Sequence, residues 1–128
     1  LSKLQKTENA NEYKKRYPLF FLDNNTEDKR YLAKRYKQAW RIAREIADIL
    51  KKEYNAKKVF VFGSLIDRSR FNQWSDIDLA VSGIPPERFY AAVGSIIGFK
   101  TNFKVDLIDI NDCSKSLQKV IESEGVEL

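Results

Sequence analysis

Two aspartates one residue apart, Asp76 and Asp78, a third at Asp106, and a Gly63-Ser64 pair upstream are the residues whose types and spacing can do chemistry. Alternate residues of a strand share a face, so Asp76 and Asp78 point one way while Ile77 and Leu79 point the other. Carboxylates held this close repel unless a cation lies between them. Paired acids at strand ends also occur without metal, and Ser75-Asp76 alone fits a turn. Asp106 adds weight, because it interrupts Val105-Leu107-Ile108 in a strand expected to be mostly buried, where an unpaired carboxylate is costly. If that strand lies beside the first, three acids meet at one point. They can then hold Mg²⁺ against a nucleoside triphosphate while an attacking hydroxyl is activated for in-line displacement. Asp109, three residues further on, faces away and reads as a strand-end acid.

Gly63-Ser64 supplies the complementary half. A glycine at a strand-to-helix turn lets backbone N–H groups approach phosphate oxygens, and the following helix N-terminus favours anions. The Ser64 hydroxyl adds a hydrogen bond. Most Gly-Ser pairs are ordinary turns; this one gains meaning by following a buried strand and preceding the acids.

Composition narrows the chemistry. The 128 residues include no histidine, which excludes Ser-His-Asp and Cys-His nucleophile pairs, histidine-ligated zinc and histidine acid–base work. Catalysis must then use carboxylates, hydroxyls, lysine or oxygen-bound metal, and oxygen ligands select Mg²⁺ or Mn²⁺. The lone Cys113 forms no internal disulfide and fits a reducing cytoplasm, where the chain is expected. No secretory signal is visible, although the chain begins at Leu1, and no apolar run nears the roughly 18 to 20 residues that span a bilayer. Charge is lopsided: residues 1–58 carry 16 Lys/Arg against 8 Asp/Glu, and residues 59–128 carry 7 against 10. A basic front half suits an acidic protein, a nucleotide's phosphates or RNA, although no motif supports RNA contact; it also suits the wet face of a helix.

The positioning elements follow from periodicity. Residues 1–27 form an arm of unclear role, with Asn-rich turns and an apolar patch at Tyr17-Pro18-Leu19-Phe20-Phe21-Leu22. From about Glu27 to Tyr54, Leu32, Tyr36, Ala39, Trp40, Ala43, Ile46, Ala47, Leu50 and Tyr54 draw one helical stripe, with Thr26 as its cap and Asn55 as its stop. Val59-Phe60-Val61-Phe62, Asp76 to Ser82 and Phe103 to Ile110 read as strands. Pro85-Pro86 opens a helix to about Ile97, with Phe89, Val93, Ile96 and Ile97 inward and Gly98 ending it; Ser114 to about Ser123 is a last helix. The expected fold is α+β: a small mixed sheet covered by helices.

Val59 to Val81, VFVFGSLIDRSRFNQWSDIDLAV, followed by FKVDLID, resembles the nucleotidyltransferase signature of the DNA polymerase β superfamily. The length and the preceding helix resemble the minimal nucleotidyltransferases (MNT), antitoxins often paired with HEPN ribonuclease toxins in prokaryotes. The resemblance covers residues 28–128, which it marks as one polymerase-β-like nucleotidyltransferase domain. It implies that Asp76, Asp78 and Asp106 bind Mg²⁺, that Asp106 also helps deprotonate the acceptor, and that Gly63 and Ser64 hold the triphosphate. The implied reaction moves AMP from ATP to a hydroxyl, in the antitoxin family a tyrosine of the partner toxin.

Two departures stand out. Eleven residues separate Ser64 from Asp76, one more than the commonest minimal-family spacing, and Asp67-Arg68-Ser69-Arg70 replaces a Gly that often follows an Arg. Arg68 and Arg70 either touch phosphate or are simply solvated. Trp74 either stacks on a nucleobase or packs. The alternative to an active transferase is a catalytically silent binding module that neutralises its partner by covering it. A small-molecule or RNA nucleotidyltransferase ranks last, because such relatives carry an added helical domain.

Overall fold

The computed structural model describes residues 26–99 and 101–128. The arm expected over residues 1–27 lies outside them but for the backbone of Thr26 and Glu27, so the Tyr17–Leu22 patch and the Thr26 cap are not described.

Helix α1 (Thr26–Tyr54) carries the predicted stripe, with Ala39, Ala43, Ile46 and Leu50 fully buried. Small alanines at three- and four-residue spacing let the helix axis come close to the sheet. It stops where expected. Asn55 takes φ 62°, and the Ala56 N–H reaches back six residues to the Leu50 carbonyl at 3.0 Å, the hydrogen bond that closes a helix ending in a left-handed residue.

Strand β1 (Lys58–Phe62) leads through a four-residue 3₁₀ turn, Gly63–Ile66, into a spacer and then β2 (Ile77–Ser82). Helix α2 (Pro86–Ile97), β3 (Val105–Asp109), a short 3₁₀ turn, α3 (Lys115–Glu124) and β4 (Val126–Glu127) follow. The sheet order is β3-β2-β1-β4: β1 pairs antiparallel with β2 and β4, and β2 pairs parallel with β3. This is the small mixed sheet expected.

Strand alternation sorts the core into two layers. Val59, Val61, Ile77, Leu79 and Val81 join the cluster that includes α1 and the Ala92 and Ile96 side of α2. Ala80, with Phe60, Phe62 and Ile108, meets Ile121 and Leu117 of α3 on the opposite face. At about 25 cal/mol per Å² of apolar area, each fully buried Leu or Ile here contributes roughly 2 kcal/mol against the entropy of ordering.

Four expectations need correcting. Ile97 is 77% exposed, because Ala92 and Ile96 already fill the contact with α1 and the sheet. The segment after Gly63 is a single 3₁₀ turn, too short to focus a helix dipole. β3 is an edge strand and all five of its residues are half-buried, so Asp106 is not a deeply buried acid. The fourth strand, β4, was not foreseen.

Candidate active site

The antiparallel β1–β2 register sets Phe62 against Asp78, and the parallel β2–β3 register sets Asp78 against Asp106. Both acids therefore lie on the α3 side of the sheet, beside the end of β1. The structure brings this pair together.

Gly63 follows directly and adopts φ +76°. A Cβ at this position would overlap Asp78 Oδ2 and lie 3.3 Å from its Cγ, so only glycine allows the backbone to pass this close. Ser64 is half-buried in the turn, and its carbonyl accepts from the Asp67 N–H at 3.2 Å.

Asp76 sits just before β2 rather than within it. The turn that presents it is firmly bonded: the Ser75 N–H donates to the Asn72 carbonyl at 3.1 Å, and Ser75 Oγ accepts from the Asn72 N–H at 2.8 Å. Ser75 is only 7% exposed, a buried polar residue with its hydrogen bonds made. Its carbonyl accepts from Arg35 Nη2 of α1 at 3.3 Å, and the same guanidinium lies 4.1 Å over the Phe103 ring. The Ile77 N–H donates to the Lys104 carbonyl at 2.9 Å, which joins the lead-ins of β2 and β3.

The carboxylates feel one another. Burial, then the charges of Asp106 and Asp76, then a hydrogen bond with Asp106, push the Asp78 carboxyl up to about 6, with Lys104 opposing. Burial also raises Asp76, opposed first by Lys104, while the Asp106 charge adds to the rise. Lys104 Nζ lies 3.7 Å from Asp106 Oδ1. As the side chains stand, Asp78 and Asp106 touch and Asp76 acts on Asp78 through its charge. Among the described residues no three His, Cys, Asp or Glu side chains are gathered around one point.

The donor chemistry still fits a hard divalent cation. The close pair offers only oxygen and is partly withdrawn from water, and the Asp78 carboxyl holds its proton more tightly than an isolated one does. Those are the conditions a cation between the two would relieve.

Lys104 and Arg35 were not singled out from the sequence. Lys104 stands two residues before Asp106, so strand periodicity could have found it; Arg35 looks like any cation on a helix's polar face. The spacer arginine Arg68 is neither free nor at the carboxylates: its guanidinium lies 4.7 Å over the Tyr36 ring. Asp109, the expected strand-end acid, accepts from the Asn111 N–H at 2.9 Å.

The family description "Polymerase beta, Nucleotidyltransferase" matches residues 44–128. A crystal structure of a mutant MntA-HpeT toxin-antitoxin is similar at TM-score 0.52 and 22% identity, covering 66% of this chain and 69% of the other. A crystal structure of a toxin-antitoxin with AMP-PNP is similar at TM-score 0.51 and 21% identity, covering 66% and 70%. No curated protein matches significantly. The family match takes in the Gly63 turn and all three acids, and the chain belongs to the polymerase β nucleotidyltransferase family.

Proposed function

We propose that this chain is a minimal nucleotidyltransferase that moves AMP from ATP to a hydroxyl of a partner protein, a tyrosine of a HEPN toxin, and so acts as its antitoxin. The reading is carried by the Asp78–Asp106 pair, in register beside a glycine whose missing side chain opens the backbone. The resemblance of residues 59–81 and 103–109 to the superfamily signature, and of the length and preceding helix to the minimal family, supports it. So does the kind of complex seen in two solved structures of similar fold.

In this reading Asp76, Asp78 and Asp106 would hold Mg²⁺, which would supply charge neutralisation along the triphosphate and lower the pKa of an oxygen nucleophile. The N–H groups of the Gly63-Ser64 turn and the Ser64 hydroxyl hold phosphate oxygens. Asp106, on the outer strand, takes the acceptor's proton. The acceptor oxygen forms a bond to the α-phosphorus, the bond from that phosphorus to the β-phosphate bridging oxygen breaks, and pyrophosphate leaves with the electron pair. Asp78, between two strands, keeps its position through the step.

The separate stance of Asp76 favours one second reading: a binding module that neutralises its partner without catalysis. Incubation with labelled ATP, Mg²⁺ and the candidate HEPN partner separates the two. Label on the partner that disappears in Asp76→Asn and Asp78→Asn supports the transferase; neutralisation that persists in both, without label, supports the module.

A further inference from the structure

The charge asymmetry of the chain is concentrated on α1. Between Asp28 and Arg44 lie seven cations, Lys29, Arg30, Lys34, Arg35, Lys37, Arg41 and Arg44, against the single anion Asp28. Only Arg41 among them forms an ion pair with a described residue, to Glu45 at 3.4 Å with both side chains mostly in water. Arg35 is committed to Ser75 and Phe103, and its Nε is buried with no hydrogen-bond partner.

Two grooves flank this cationic ridge. A cleft of about 870 Å³ separates it from Phe99 and Thr101–Phe103, and a shallower one of about 530 Å³ lies along Tyr36 and Trp40. Lys34, Gln38 and Arg41 border both, so the two form one continuous surface. That surface is on the face of the sheet opposite Asp78 and Asp106, and its Thr101–Phe103 border leads directly into β3, which carries Asp106.

The ligand class follows from charge and from what the rings are doing. An array of Lys and Arg with a single ion pair to the described residues calls for a polyanion. Single-stranded RNA would also need open aromatic faces for stacking. The Phe103 ring is covered by Arg35, and the Tyr36 ring is covered by Arg68 and edged by Phe71 at 5.2 Å, so that Tyr31, 53% exposed, is the one largely open ring among the described residues of the two grooves, too few for successive bases to stack. Carboxylates need only the cations, and Arg is suited to hold them in pairs. The site itself presents three acids and offers an acidic acceptor no grip, so such a protein has to be held elsewhere.

We propose that the α1 ridge and its two grooves are the docking surface for an acidic segment of the protein acceptor. This rests on the transferase reading only for the word acceptor; the surface itself is tested without nucleotide.

The full chain is titrated with a fluorescein-labelled random copolymer of glutamate and tyrosine, with a lysine–tyrosine copolymer and with a labelled single-stranded RNA. The glutamate copolymer is expected to bind best. Its affinity should fall about tenfold with Lys34→Glu and Arg41→Glu combined, less with the Gln pair, and fall as NaCl rises from about 50 to 300 mM. Circular dichroism melting confirms that each variant folds, and the Gln pair carries the test if the Glu pair does not. Equal affinity in wild type and both variant pairs, or tighter binding of RNA, overturns the proposal. Mg-ATP binding, measured by calorimetry with Asp78→Asn as control, is the separate readout. If it is absent while copolymer binding behaves as stated, the transferase reading falls and the surface stands. If it is present while the substitutions leave copolymer binding unchanged, the surface falls and the transferase stands.

Discussion

Gly63 and Asp78 are packed backbone to carboxylate: the place where any other residue would carry its Cβ is taken by Asp78 Oδ2. One contact joins the turn proposed to hold phosphate to an acid proposed to hold metal, so neither can shift alone.

Gly63→Ala should therefore lose both stability and activity. The positive φ and the overlap with Asp78 together are expected to cost about 2 kcal/mol, read as a lower denaturant midpoint with unchanged slope. AMP transfer should fall to background even where the variant remains folded.

Asp78→Asn should stabilise the metal-free protein at neutral pH while abolishing transfer. The carboxyl is raised from its ordinary 3.8 to about 6, so the folded state binds the proton more tightly than the unfolded one. The stability contributed by Asp78 is then fully present below about 3.8, declines as pH rises to about 6, and is lost above. The advantage of the Asn variant should open across that same window. Melting curves between pH 4 and 8, with and without Mg²⁺, check this; Mg²⁺ should raise the wild-type midpoint and leave the variant's unchanged.

Ser75→Ala removes the acceptor for the Asn72 N–H in a buried turn. Loss of that bond is expected to cost about 1 to 2 kcal/mol in denaturant titration. Because the turn presents Asp76, kcat for transfer should drop while the KM for ATP moves little.

Arg68→Ala tests whether the spacer arginine touches phosphate. Its guanidinium packs on Tyr36, so the expected result is a loss of about 0.5 to 1 kcal/mol of stability with the KM for ATP unchanged. A large rise in that KM would place Arg68 at the triphosphate.

Much of this was legible from pattern. Alternation set Ile77 and Leu79 on the face opposite the acids, and the three-and-four spacing identified the α1 stripe, because both follow from backbone geometry alone. Asn55 was readable as a stop through its tolerance of positive φ. The misses have a common cause, which is that they depend on neighbours distant in sequence. Whether β3 lies at the edge or centre of the sheet decides the burial of Asp106, and strand order is not written in Val105–Asp109. Ile97 fits the apolar period of α2 but lies beyond the surface that α2 contacts. The two residues of β4 become a strand only because the chain returns alongside Phe60 and Val61. At the site, residue type and spacing picked out the acids and the glycine. The tie from Arg35 to Ser75 and Phe103 needed the fold.

The outermost position of β3 gives the two halves of the proposed reaction unequal freedom to diverge. Asp78 stands on an interior strand, bonded on both sides, and a shift there would drag β1 and the core with it. Asp106 is anchored through one neighbouring strand only, at the edge of the sheet. A lineage could reshape what approaches that margin, and with it the choice of acceptor, while its grip on the nucleotide stayed as it was.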